Sequence, residues 1–381
     1  MISTLVVGGG IGGLSLAREL SRRGLAVTVL EKAPQLNPVG AGIIMNPNAM
    51  RVLERNGLAE PVREDAWPYL TRETCDRRGR LLAVRDYRPL YDSGRLAVGA
   101  LVHRAHLLDV LYRGAPREAV RFGVTVRKID LLSDRARVET DRGEVLEADL
   151  LVGADGIHSQ VRHHLFGEVR PAYMGYRSYR LVVDNVPAIR QFTELLGQGQ
   201  RIGLVPISES RLYVWTTFNS PHDRPPRLGS ADDFRALFAQ FTDDRVKRLF
   251  SRLESADGII STEIEELRLE PWSRGRAVLL GDAVHAITPN ICQGAGMAME
   301  DAAVLAEELA TAAPLENALA NYARRRKPRV ETVMRVSREV GFDGQRSNPV
   351  VCWLRDRRIR RAGRNTQKTL SELEQLLADP G

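Results

Sequence analysis

The stretch Gly281-Asp282-Ala283-Val284-His285-Ala286-Ile287-Thr288-Pro289-Asn290-Ile291-Cys292-Gln293-Gly294-Ala295-Gly296 concentrates the chemistry of this chain. Asp282 follows an apolar run, Ala277-Val278-Leu279-Leu280, that reads as a buried strand, so a carboxylate stands at a strand end. One loop later a glycine-flanked helix start, leading into residues 297–309, offers backbone N–H groups and a positive dipole end. That pair suits a long ligand with hydroxyls at one point and an electron-accepting ring at another. A flavin dinucleotide has this shape.

A second group of residues tests that reading. Gly8-x-Gly10-x-x-Gly13 sits between Thr4-Leu5-Val6-Val7 and a helix whose Leu14, Leu16, Ala17 and Leu20 point inward. The first glycine makes the turn, the second lets a pyrophosphate approach, and the third lets helix and strand pack. Residues 26–30 form the next strand, and Glu31 at its end can hold adenosine ribose hydroxyls. The same acid disfavours bound NADP, whose ribose phosphate it would repel. This order specifies a dinucleotide site but does not separate nicotinamide from flavin.

Asp155-Gly156-Ile157-His158-Ser159-x-x-Arg162 forms a third group, after Leu150-Leu151-Val152. Its bland reading is a tight turn that caps the next helix. Arg104 stands in the first turn of a helix, where a base opposes the dipole, and this favours a phosphate ligand over a surface base. His285, beside Asp282, reads as a structural donor rather than a catalytic base. His163 and His164 lack companions at metal-ligand spacing, so no metal site is expected. The sequence has no P-loop, no G-x-S-x-G elbow and no H-E-x-x-H.

Two kinds of scaffold are needed to position these groups, and 381 residues exceed one ordinary core. The expected fold is α/β: a Rossmann-like FAD-binding domain, an inserted, mostly antiparallel β-sheet substrate domain, and C-terminal helices. Residues 1–75, 99–168 and 271–325 are assigned to the first domain, 76–98 and 169–270 to the substrate sheet, and 326–381 to the helical segment. Within them, Leu101-Val102-His103-Arg104 reads as opening a helix, and residues 124–132 and 136–140 as a hairpin. Runs 179–183, 201–206, 212–218 and 259–264 are β-branched and aromatic, with no helices expected between them.

Composition narrows the partners. No apolar run approaches the length of a bilayer span, and no targeting peptide is expected. Three widely spaced cysteines make a reducing cytoplasm the default location. The net charge of +7 reflects a tail where Arg355, Arg357, Arg358, Arg360, Arg361 and Arg364 crowd together. With no aromatic stacking array, this reads as a solvated helix face and not a nucleic-acid site. With few apolar anchors, at most weak contact with a membrane surface is expected.

In this order, the three motifs resemble the class A flavoprotein monooxygenases, the family of p-hydroxybenzoate hydroxylase, from Ile2 to about Arg329. The resemblance implies FAD bound without a covalent link, extended across the first lobe. It implies Gly8, Gly10, Gly12 and Gly13 at the pyrophosphate turn, and Glu31 with its neighbour Lys32 at the adenosine ribose. Arg104 would reach phosphate, and Val126 would meet the adenine side through its backbone. Asp155 and Asp282 are further FAD contacts, Asp282 at ribityl or phosphate oxygens. Gln293, Gly294, Ala295 and Gly296 would face the flavin N1–O2 edge, and Gly40-Ala41-Gly42-Ile43-Ile44 matches the family's second flavin contact. NADPH or NADH is implied as transient reductant and O2 as co-substrate. Oxygen added at flavin C4a would give a hydroperoxide that hydroxylates or epoxidises an electron-rich ring.

The resemblance also places the Pro289 carbonyl near the reacting ring. Arg201 and Tyr213, on neighbouring predicted strands, are the polar candidates for the substrate wall. In urate-hydroxylating members an arginine and a tyrosine at matching places contact the substrate. Tyr213 reads equally as a core residue with its hydroxyl at the rim. Residues 285–290 and the tail around Trp353-Leu354-Arg355 look most like the alkylquinolone-hydroxylating branch. The implied activity is an NAD(P)H-consuming monooxygenase of an aromatic or heteroaromatic small molecule, with a quinolone-like compound of secondary metabolism as the candidate substrate, in a monomer or homodimer. A reductase or dehydrogenase on the same fold, or a silent FAD-binding accessory protein, are the alternatives.

Overall fold

The N-terminal apolar run forms strand Ser3–Val7, flanked in parallel by Ala26–Glu31 and Leu150–Gly153. In this computed structural model, which describes residues 2–378 apart from 37–40, 187, 224, 225, 227, 312 and 365, these strands centre a six-stranded sheet. Val120–Phe122 and Ala277–Leu279 extend it in parallel, and Ser273–Arg274 pairs antiparallel at one edge. Burial on both faces accounts for the unbroken apolar composition of the central strands. Helix Ile11–Arg22 buries Leu14, Leu16, Ala17 and Leu20, as their spacing requires. Gly24, at φ +71°, ends it: its N–H and that of Leu25 reach the Ser21 and Leu20 carbonyls.

Two local expectations need correction. Leu101, Val102 and His103 do not open a helix but lie in strand Gly99–His103, paired with Gly42–Met45 and Ala66–Tyr69. The helix begins only at Arg104, where the His103 ring accepts the Ala105 N–H at 3.3 Å. The strands of the second lobe are also not free of helices. Ala231–Leu237 and Asp244–Phe250 lie between them in sequence, each too short to display a clear helical period.

The second lobe is a seven-stranded sheet in the order Ile260–Glu266, Ala172–Asp184, Arg211–Asn219, Gln200–Pro206, Phe192–Leu196, Thr71–Asp76, Leu81–Asp86. All neighbours are antiparallel except Phe192–Leu196 with Thr71–Asp76. Thr71–Asp76 joins this sheet ahead of residue 76, and Phe192–Leu196 escapes the sequence pattern because Thr193 and Glu194 break its apolar run. Alternation along the strands separates two faces. Ile202, Leu204, Leu212, Val214 and Phe218 pack with Phe234, Phe238 and Phe250 of the two short helices. Ser178, Arg180, Arg201, Tyr213, Trp215 and Thr217 occupy the opposite face, toward the first lobe.

Helix Leu315–Gly344 binds both lobes, followed by Pro349–Ala362 and Thr366–Leu377. Its Arg326, buried, donates to Asp301 at 2.7 Å and to Glu300 at 2.6 Å. Asp301 also takes His285 Nε2 at 2.6 Å and the Gly281 N–H at 3.0 Å, and Glu300 accepts from Asn48 at 2.7 Å. Burial works against the Asp301 charge, but His285 and Arg326 outweigh it and hold the carboxyl at about 2. An unfolded aspartate titrates near ~3.9. Its folded value is depressed, so its contribution is complete above that pH and fades as pH falls toward about 2. Asp301→Asn is expected to lower stability by about 3–5 kcal/mol at neutral pH, measured by urea unfolding, and to remove this part of the acid dependence.

Candidate active site

A cavity of about 430 Å³ lies between the parallel sheet and the polar face of the antiparallel sheet. It brings together Gly10, Gly12, Ile43, Ile44, Arg104, Asp282, Gly294 and Ala295 of the first lobe with Arg201 and Tyr213 of the second. Pro289, Asn290 and Cys292, from the turn before helix Gly294–Ala310, complete this lining. Gly40 falls outside the described residues.

The fingerprint glycines divide their tasks. A Cβ at Gly10 would meet nothing within 4 Å, so the backbone there is open to a large ligand. A Cβ at Gly13 would collide with the Gly8 carbonyl, and one at Gly8 (φ +108°) with the Ala154 carbonyl. These two positions serve packing. Glu31 accepts the Gly9 N–H at 2.7 Å and the Ala33 N–H at 2.8 Å, which holds its carboxylate at the glycine turn. The Val124 N–H reaches the Glu31 carbonyl, and the buried Val126 opens the adjoining strand. Lys32 is exposed, and Glu31, Lys32 and Val126 lie outside the cavity lining.

Asp155 accepts from Ser159 Oγ at 2.5 Å and from the Gln160 and Val161 N–H groups, so its carboxylate caps helix Gln160–Phe166. Its neighbours Ala154 and Gly156, and not Asp155, line the cavity. Arg162 of the same motif donates to the Ala283 carbonyl at 3.0 Å, tying it to the Gly281-Asp282 turn. Gln293 turns inward and exchanges hydrogen bonds with Asn48 at 2.9 and 3.1 Å. Gly296 packs against the same Asn48, where a Cβ would come within 2.8 Å of its side chain. These two residues set the position of the helix start and do not line the cavity.

Asp282 is accessible to solvent through the cavity although protein surrounds it. That crowding pushes its carboxyl up from the usual carboxylate range, against the pull of His285 and Arg104. A Cβ at Gly294 would lie 4.0 Å from Asp282 Oδ1, so the carboxylate stands next to the helix start. Helix Gly294–Ala310 has no side-chain N-cap and no acid in its first turn, which leaves its N–H groups and dipole for a ligand. His285 is engaged by Asp301, not Asp282, so the expected structural donor has a different partner.

On the second lobe, Arg201 is buried and its donors go to Thr217 and Gln345 at 3.2 and 3.1 Å, to Glu194 at 3.5 Å and to Asn290. Tyr213 packs its ring so closely on Gly42 that any Cβ there would collide with it. Burial pushes its hydroxyl up, against the nearby Arg180. Arg180 donates to Thr262 at 2.8 Å, and among the described residues its buried Nε has no partner. Burial pushes the Cys292 thiol up to about 11. Arg180, Trp215, Thr217 and Asn290 were not singled out from sequence. Strand alternation carries the missing signal, since Val182, Arg180 and Ser178 stand opposite Tyr213, Trp215 and Thr217.

An open glycine turn, an acid at its edge, a cavity-facing carboxylate and an uncapped helix start fit a flavin dinucleotide and define an FAD-binding flavoprotein. The chain belongs to the family described as FAD binding domain, which matches residues 1–337. Aurachin C monooxygenase/isomerase of Stigmatella aurantiaca is 34% identical over 365 residues, 94% of each chain. A 2-heptyl-3-hydroxy-4(1H)-quinolone synthase of Pseudomonas aeruginosa is 33% identical over 362 residues, again 94% of each. The crystal structure of Klebsiella pneumoniae HpxO with FAD and uric acid is similar, with a TM-score of 0.90 and 26% identity, covering 100% of this chain and 98% of that one.

Gly10→Ala is expected to keep the fold but weaken FAD retention, because its methyl would enter the ligand's space. Gly13→Ala is expected to cost stability, by about 1–3 kcal/mol or more, from backbone overlap. Thermal unfolding and flavin absorbance of the two purified variants separate these effects.

Proposed function

We propose that this protein is an FAD-dependent, NAD(P)H-consuming monooxygenase that hydroxylates or epoxidises an aromatic or heteroaromatic small molecule of quinolone-like character. The observation that carries the reading is the wall of Arg180, Tyr213 and Trp215 facing Pro289 and the uncapped start of helix Gly294–Ala310 across one cavity. The 2-heptyl-3-hydroxy-4(1H)-quinolone synthase, alike over almost its whole length, supports the substrate class, and the aurachin C monooxygenase/isomerase supports the reaction type. When bound, FAD would carry electrons from the nicotinamide and make oxygen reactive toward the ring.

The chain's own residues bind, orient and enclose. Glu31 would take adenosine ribose hydroxyls, the open backbone at Gly10 would take the pyrophosphate, Arg104 would add a cation there, and Asp282 would accept from ribityl hydroxyls. N–H groups at Gly294 and Ala295 would favour negative charge on a ring edge placed against them. Arg201 acts as a positioning residue: its guanidinium ties Asn290, beside Pro289, to Thr217 and Gln345. Arg180, which lines the cavity beside Trp215, is the cation placed to meet a substrate oxygen, and the Tyr213 hydroxyl, kept protonated by burial, is a donor beside it. Enclosure between the lobes excludes water from the reacting ring.

Asp282→Ala is expected to lower FAD occupancy of the purified protein. Arg180→Ala is expected to lower kcat/KM about 10- to 100-fold with FAD occupancy unchanged. Arg201→Ala and Tyr213→Phe should likewise impair turnover more than FAD binding. Ring compounds screened for stimulation of NADH and NADPH oxidation supply the substrate for these assays. Product formed in the absence of oxygen would overturn the monooxygenase reading in favour of a reductase.

A further inference from the structure

We propose that the outward face of helix Pro349–Ala362 docks on an anionic lipid bilayer. The helix is well started, since Asn348 accepts the Val350 and Val351 N–H groups at 3.0 and 3.2 Å and proline occupies its first turn. Cys352, Arg355 and Ile359 turn inward, and Val350, Trp353, Leu354, Arg357 and Arg361 form a stripe on the opposite side at helical spacing. Val350, Trp353 and Leu354 are 53–65% exposed, so apolar anchors that looked sparse in the sequence share one stripe of the helix. Arg357 lies over the Trp353 ring at 4.7 Å, a pairing suited to the polar boundary of a membrane.

Charge decides the occupant. Residues 343–364 hold seven arginines and two acids: Asp356, which pairs with the inward Arg355 at 3.0 Å, and Asp343, which pairs with Arg358. A second copy of the chain would set arginines against arginines across a two-fold contact. A nucleic acid would leave Val350 and Leu354 with no apolar partner. Anionic lipid satisfies both, with headgroups for the guanidinium groups and acyl boundary for Trp353 and Leu354. No helix among the described residues is long and apolar enough to cross a membrane, so the contact is superficial. The same helix walls a second cavity of about 280 Å³ that reaches Arg201, also a lining residue of the first.

The test is flotation of the FAD-loaded protein with vesicles of phosphatidylglycerol in phosphatidylcholine, and with phosphatidylcholine alone. Binding to the anionic vesicles only is expected, declining as salt is raised. Trp353→Ser with Leu354→Ser should abolish it. Arg357→Gln with Arg361→Gln should weaken partition about thirtyfold, each arginine near such a surface counting for about fivefold. Both variants should keep their flavin and circular dichroism, because the changed side chains are exposed. Absence of binding to anionic vesicles, or binding unchanged in both variants, would overturn the proposal. A dimer in sedimentation velocity that the Trp353 and Leu354 changes dissolve, or tight DNA duplex binding that the arginine changes remove, would overturn it for another occupant. Since none of these readouts uses turnover, the result stands whatever the fate of the proposed activity.

Discussion

A single buried carboxylate constrains the FAD side of this molecule. Asp301 receives His285, Arg326 and the Gly281 N–H, so strand end, cavity-facing helix and long C-terminal helix converge on one side chain. A buried carboxylate without partners would be costly, and here the partners are what must be positioned. The Gly281 turn, held at φ +61°, aims Asp282 into the cavity, and Arg162 fastens the next residue from a separate motif. Every contact proposed for the ribityl chain depends on that turn keeping its place.

The second lobe solves a different problem with simple means. A strand surface with period two gives one face to phenylalanine-rich packing and the other to a polar wall. The wall is stiff because its cations are held. Arg72 pairs with Glu194, Glu194 with Arg201, and Arg201 with Asn290 on the first lobe. The chain of partners crosses from one lobe to the other, so substrate wall and flavin-side turn are set as one unit.

Much of this was legible in the sequence because the signals are local. Gly8 to Glu31 is one βαβ unit, and Gly281 to Gly296 joins a strand end to a helix start, so spacing alone reveals the elements that carry them. The roles of Gln293 and Gly296 were not legible, since both pack on Asn48, a partner only the folded chain supplies, whereas the capping by Asp155 is local and was already one reading of its motif. Asn48 lies far from Gln293 in sequence, and nothing near Gln293 announces it. Arg180 was missed for a related reason. Its strand carries both Arg177 and Arg180, on opposite faces, and only the register with Trp215 tells which one meets the cavity. The helix misread at Leu101 shows the limit of short apolar runs, where strand and helix look alike and tertiary pairing decides.

The interruption of the flavin lobe has a consequence for how the protein is made. Ser3–Val7 is flanked by Leu150–Gly153, which needs Ala277–Leu279 on its other side, and the cavity's helix ends only at Ala310. During synthesis the glycine turn emerges first and then waits for most of the chain before its ligand site exists. A chain halted before residue 294 therefore carries a complete fingerprint but lacks the helix start that closes the cavity lining.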